Sequence, residues 1–200
     1  METYARLSRL DGPTPGLVEE PLTVTEVAEH LRIDADAEYS YLESLIGDAR
    51  EEFERETGRQ LMTQTWVASL GSFPEDDEPI VLPLPPLLSI EEISYLDSDG
   101  VSQIWDPGEY VVSVYLGSRA TRGRIVPAVG YSYPSTQSGG DAVQISFTAG
   151  YGTSPNDIPR DIKRALLLLV THHFLHRQSP EKRPVSLDGL LAHYRGTVFA

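Results

Sequence analysis

Residues 141–177 read DAVQISFTAGYGTSPNDIPRDIKRALLLLVTHHFLHR: a strand, a glycine turn and a proline-started helix in one run. Val143, Ile145 and Phe147 alternate with Gln144, Ser146 and Thr148, which gives an extended segment one apolar face. Gly150 and Gly152 flank Tyr151 and end the strand, because glycine reaches backbone angles that other residues resist. Pro159 suits the first turn of a helix, where a missing N–H is no loss. Asp157 and Asp161 put negative charge at the positive end of the helix dipole. Residues 165–170 are all apolar, and Phe174 and Leu175 extend the run. A surface helix carries one apolar stripe, so a helix apolar nearly all round is expected to be enclosed. It is too short, and too closely flanked by Arg160, Lys163, Arg164 and Arg177, to span a membrane. The spacing predicts a central helix over about 158–177, with Leu166, Leu167, Leu168, Leu169 and Phe174 buried by its own domain or a neighbouring subunit. Aspartate at Leu167 or Leu168 is expected to abolish soluble protein, since a buried unpaired carboxylate costs several kcal/mol.

The rest of the chain is read outward from this helix. Two hundred residues with 40% apolar content suit one domain with a real core, or one domain carrying an insertion. There is no cysteine, so neither a disulfide nor a thiolate nucleophile or ligand is available, in keeping with a reducing cytoplasm. The N-terminal METYARLSRL lacks the apolar core of a secretory signal, and no transmembrane segment is expected. The net charge is −14, and its placement is uneven. From Gln60 to Ser118 there are ten Asp and Glu and no Lys or Arg. Such a chain is not expected to grip a phosphate backbone. Acidity serves solubility, or makes a surface that meets a basic partner and repels DNA.

Residues 1–20, with Gly12, Pro13, Pro15 and Gly16, read as a flexible arm. Thr23 and Glu26 have the capping-box spacing, and Val24, Val27, Ala28 and Leu31 share a face, so a short helix runs over 23–32. Tyr39, Leu42, Leu45, Ile46, Ala49 and Phe53 mark a second helix over 37–57, capped by Asp34 or Asp36 and closed by Gly58. Short strand patterns follow at 61–70, 80–82, 88–96, 101–105, 109–115, 123–126 and from Ala142, with a hairpin turn at Asp97-Ser98-Asp99-Gly100. Leu187, Leu190, Leu191 and Tyr194 suggest a last short helix over 186–194, or a docking tail. The fold class is therefore α+β: a helical bundle with an inserted small antiparallel β-sandwich or barrel-like region. The expected division is an arm at 1–20, a helical core at 21–59 and 150–178, a β insertion at 60–149 and a tail at 179–200.

Sites of chemistry are sparse. His172 and His176 lie one turn apart and His173 between them, but no acid or cysteine joins the triplet, and spacing alone is weak ground for a metal. Gly150-Tyr151-Gly152 lacks the third glycine of a dinucleotide fingerprint. Asp97-Ser98-Asp99-Gly100 lacks the later glutamate of a calcium loop, since position 108 is glycine. Gly130-Tyr131-Ser132-Tyr133-Pro134 lacks the second glycine of a nucleophile elbow. No cofactor, metal or catalytic residue is expected. The readings that compete are a structural assembly protein and a monomeric β-rich module that binds a peptide or carbohydrate through Trp66, Trp105 and the tyrosines; an enzyme comes third.

The ordered set Leu31-Arg32-Ile33, Ala49-Arg50, TGRQL at 57–61, Trp66, LPLPPL at 82–87, ISYLDSDG at 93–100, Tyr110, FTAGYG at 147–152, Ile158-Pro159 and Tyr194-Arg195 resembles the head–tail connector (adaptor) proteins of tailed bacteriophages. The long β insertion resembles the larger members, including those of gene transfer agents. The resemblance implies a non-enzymatic ring in the neck of a virion or phage-like particle assembled in the bacterial cytoplasm. About twelve copies would join by head-to-tail contacts, which close into a ring when the rotation allows. It implies the portal protein and a stopper or tail-terminator protein as partners, and DNA passing through without specific binding. An acidic lining would let DNA slide, so Glu43, Glu51, Glu52 and Glu54 are candidate channel-facing acids. Leu187, Leu190, Leu191, Tyr194 and Arg195 are the candidate portal-docking residues of the tail.

Overall fold

The computed structural model describes residues 6–9, 19–75, 78–114, 122–137, 139–177 and 183–195. In chain order the elements are β1 (Arg6–Arg9), α1 (Val24–Leu31), α2 (Ala35–Thr57), β2 (Gln64–Leu70), β3 (Ile80–Val81), β4 (Leu87–Leu96), β5 (Ser102–Ile104), β6 (Tyr110–Ser113), β7 (Arg124–Pro127), β8 (Val143–Ala149), α3 (Arg160–Leu175) and α4 (Val185–Tyr194). The described residues fall into two units. Residues 19–63 and 151–195 make a helical unit; residues 6–9, 64–114 and 122–150 make a β unit.

The helical unit begins where the sequence says it should. The Thr23 hydroxyl accepts the Glu26 N–H at 3.1 Å, and the Glu26 carboxylate accepts the Thr23 N–H at 2.8 Å, so two free donors of α1 are satisfied. Asp34 caps α2 by accepting the Asp36 N–H. Gly58 ends α2 at φ 66°, a left-handed angle that a side chain resists. Helices α2 and α3 pack on each other, and α1 and α4 each pack on both. Leu42, Leu45, Ile46, Ala49 and Phe53 of α2 meet Ile162, Ala165, Leu166, Leu169 and Val170 of α3 in one apolar cluster. The opening stretch returns the chain to this unit: the Thr63 N–H donates to the Gly152 carbonyl and the Tyr151 N–H to the Leu61 carbonyl. A Cβ at Gly152 would collide with the Asp157 carboxylate, so the Gly-Tyr-Gly turn is built for close packing.

The β unit holds two antiparallel sheets, of order β1-β2-β8-β4-β5 and β3-β7-β6. Strand β8 is central, with β2 and β4 on either side. Its Val143, Ile145, Phe147 and Ala149 are buried, as the alternation predicts. Ile80 and Ile125 of the smaller sheet join Ala68, Leu70, Ile93 and Phe147 of the larger in one cluster, so the two sheets share a core in the manner of a sandwich. Asp97 organises the expected hairpin: its carboxylate accepts the Asp99 and Val101 N–H groups, and Gly100 donates to its carbonyl.

Three expectations change and one choice between alternatives is decided. Residues 6–9 of the expected arm form edge strand β1 against β2; the rest of 1–18 lies outside the described residues. Strand β2 starts at Gln64, because Leu61 and Met62 are consumed by the helical core. The segment expected as a tail over 179–200 contains the short helix that the sequence offered as its alternative, α4, and this helix packs on α2 and α3. Helix α3 is not enclosed all round by the described residues: Leu167 and Phe174 are half-buried, while Leu168 is 38% and Leu175 67% exposed. A helix turning every 3.6 residues cannot put every position of an apolar run toward neighbours that lie on one side.

Candidate assembly surface

The side chains that position α4 are charged. The Glu52 carboxylate bonds His173 Nε2 at 2.6 Å and accepts from Arg183 Nη1 at 2.6 Å. Arg183 also reaches Glu56 at 2.6 Å and Asp188 at 3.1 Å, and Arg195 reaches Glu56 at 3.3 Å. This chain of pairs ties α2 to α3 and to both ends of α4. The hydrogen bond to Glu52 raises the His173 pKa, with the charges of Glu52 and Asp48 adding to it against burial. The same bond lowers the Glu52 carboxyl, helped by Arg183.

A second anchor is buried. Arg59, 2% exposed, donates from Nε to the Tyr194 carbonyl at 2.7 Å and from Nη1 to the Tyr151 hydroxyl at 3.0 Å. Burial, and then the charge and hydrogen bond of Asp161, push the Tyr194 hydroxyl up to about 12. Glu54 is turned inward as well: it accepts the Leu61 N–H at 2.9 Å and the Gln60 amide at 3.0 Å, and pairs with Arg50 at 3.0 Å. Burial raises its pKa, while the Leu61 N–H and Arg50 oppose the rise.

These contacts sort the residues singled out from the sequence. Of the four candidate channel acids, Glu43 and Glu51 are exposed. The Glu52 and Glu54 carboxylates are bonded within the fold, to His173 and Arg183 and to Arg50 and the segment after α2. Of the candidate docking residues of the tail, Leu187, Leu191 and Tyr194 are buried in the helical core and Leu190 packs against it, so these side chains are occupied by their own chain. Arg195 is exposed and bonded to Glu56. In α3, Leu166 and Leu169 are core, Leu167 and Phe174 flank it, and Leu168 faces out. The His172 and His176 ring centroids lie 4.7 Å apart with the rings tilted, and among the described residues no three potential ligands converge on a metal site. Trp105, 1% exposed, lies among Phe73, Tyr110 and Tyr133 in the β core, where it cannot offer a sugar or peptide a platform.

Sequence reasoning overlooked Arg59 and Arg183 as anchors. Arg59 bonds residues 92 and 135 positions away, and Arg183 bonds Glu52 131 positions away. No local pattern marks such a side chain; the only hint was a lone arginine directly after a helix-ending glycine.

The molecule is thus a capped helical unit interrupted by an antiparallel β insertion, and described polar side chains at the helix junctions bond one another. Residues 21–96, from α1 through β4, match the family described as phage gp6-like head-tail connector protein. The resemblance read from the sequence is borne out at this level. No curated protein matches the chain. Among solved structures it is similar to a subunit from the neck of an empty gene transfer agent (GTA) particle with C6 symmetry: TM-score 0.74, 25% identity, 98% of this chain and 97% of that one covered. A subunit of the virion of a native GTA particle gives 0.73 at 26% identity, with 97% of each chain covered. A chain from the neck of a native GTA particle with C12 symmetry, at 24% identity and TM-score 0.68 over 98% of this chain and 97% of that one, shares the fold.

Proposed function

We propose that this protein is a structural head–tail connector that forms a ring in the neck of a phage-like particle or gene transfer agent. The observation that carries the reading is the breadth of the similarity: both units, over nearly the whole chain, align with a subunit from a particle neck and with one from a gene transfer agent virion. The helical unit is the ring-forming core and the β unit its insertion. The ring sits below the portal, joins the DNA-filled head to a stopper or tail-terminator protein, and lets DNA pass. A net charge of −14 supports passage without specific binding, since like charge disfavours adhesion to phosphates. The role is scaffolding, not catalysis.

Imaging of assembled particles carrying a tag on this chain tests the reading. A tagged ring between portal and tail is expected, with headful but tailless particles when the chain is deleted. A tag found only on the tail tip or the capsid faces, or tailed particles formed without the chain, overturns it.

A further inference from the structure

Helices α2 and α3 are the central pair of the helical unit, and α1 and α4 each bridge both. The faces that α2 and α3 leave open are therefore turned away from one another. They differ in chemistry. On α2 the open face carries Tyr39, 52% exposed, then Glu43, Ser44, Asp48 and Glu51, with Arg55 one turn further on. On α3 it carries Arg160, Arg164, Leu168 and Leu175. Arg160, Arg164 and Glu43 have no ion-pair partner among the described residues, although the charges deeper in the unit are paired repeatedly. A basic, leucine-bearing stripe stands out in a chain with 30 acidic and 16 basic residues.

A ring needs a heterologous contact: two different surfaces of one chain, complementary and directed apart. Resting on the ring proposed above, we infer that the open face of α3 in one protomer docks on the open face of α2 in the next. The occupant of each face is a second copy of this chain. The pairing that matches like with like is antiparallel. Arg160 then meets Glu51, Arg164 meets Asp48, Leu168 lies by Ser44, and Leu175 meets Tyr39. The spans agree: at 1.5 Å per residue, 160–175 covers about 22 Å and 39–51 about 18 Å. Leucine and tyrosine supply apolar contact and the flanking charges fix the register. This places Glu43 and Glu51 at the neighbouring protomer rather than on passing DNA.

The chain has no cysteine, so introduced thiols are unique. The test joins Ser44→Cys and Leu168→Cys by a short flexible bis-maleimide, read by denaturing gel beside sedimentation velocity, alone and with the portal protein added. The double variant is expected to give a ladder. The two single variants mixed should give only dimers containing one of each, and neither alone should dimerise. A second arm uses charge: Asp48→Lys and Arg164→Glu each block assembly alone, and their mixture restores it. Rings by sedimentation without the ladder, or single variants that assemble as wild type does, overturn this contact and leave the connector reading standing. Duplex DNA retained by wild type and lost in Arg164→Glu with rings intact assigns the basic face to DNA and overturns it as well. Wild-type protein that stays monomeric in every condition removes the ring, and both readings with it.

Discussion

Arg183 in the helical unit touches three carboxylates, of Glu52, Glu56 and Asp188; Trp105 in the β unit touches three aromatic rings, of Phe73, Tyr110 and Tyr133. The contrast is general. Among the described residues every ion pair lies in the helical unit. The β unit relies on strand ladders, which satisfy the backbone, and on an aromatic core. Short helices such as α1 and α4 bury three side chains each, and charged anchors help to hold them in place. The two units should therefore answer to different perturbations. Two probes separate them: both tryptophans, Trp66 and Trp105, report the β unit, while helical circular dichroism reports the other.

The largest expected effect is Leu169→Asp, which puts a carboxylate where the side chain is 0% exposed. The cost is several kcal/mol, on the order of the whole stability. Dichroism at 222 nm should collapse; a native-like signal would show that α3 is not core. Next is Trp105→Ala, expected to cost the β unit about 3–5 kcal/mol, followed in urea through Trp66. An equal loss in the helical signal would mean that the two units unfold as one and would erase the contrast.

Arg59→Met leaves the Tyr194 carbonyl and Tyr151 hydroxyl without their donor. A loss of about 1–3 kcal/mol is expected in the helical transition alone. Hydrogen exchange in α4 should rise, and unchanged exchange would show that Arg59 is not its anchor.

Smaller still is the pH effect. His173 is raised from an ordinary 6.5, so its contribution is complete below 6.5 and is lost as pH climbs through the raised value. Glu52 is lowered from an ordinary 4.5, so its contribution holds above 4.5 and is lost as pH falls through the lowered value. The clamp on α3 and α4 is strongest between those two limits. Alkalinisation should weaken the helical transition by at most about 1 kcal/mol, given partial exposure and screening, and leave the fluorescence transition in place. His173→Gln should flatten that dependence. A pH slope that survives the substitution assigns it elsewhere. The smallest change is Leu168→Asp, within about 0.5 kcal/mol for the single protomer, because the side chain already meets water. Thermal melting at low concentration checks it; a collapse would restore the enclosed helix that the apolar run suggested.

Much of the fold was written locally. The Thr23–Glu26 box, the Asp34 cap, Gly58, the Asp97–Gly100 turn and the alternation along β8 each act within a few residues, and each appears where its spacing puts it. The site was less legible. Glu51 and Glu52 are adjacent acids with nothing local to tell them apart, yet one is exposed and the other is held by His173 and Arg183. Leu168 and Leu169 read identically, and only the direction of the neighbouring helices sends one outward and the other in.

What the sequence determined by itself was the order of helices and strands, their caps and turns, and the lack of any thiol, because those follow from residue identity and short-range backbone geometry. What only the tertiary structure decided was which side of each helix is spent. Burial depends on partners more than a hundred residues away: Arg183 consumes Glu52, Arg59 anchors Tyr194, and the α4 leucines fill their own core. Faces left open after those contacts are the ones available to another copy of the chain, and no local pattern encodes that remainder.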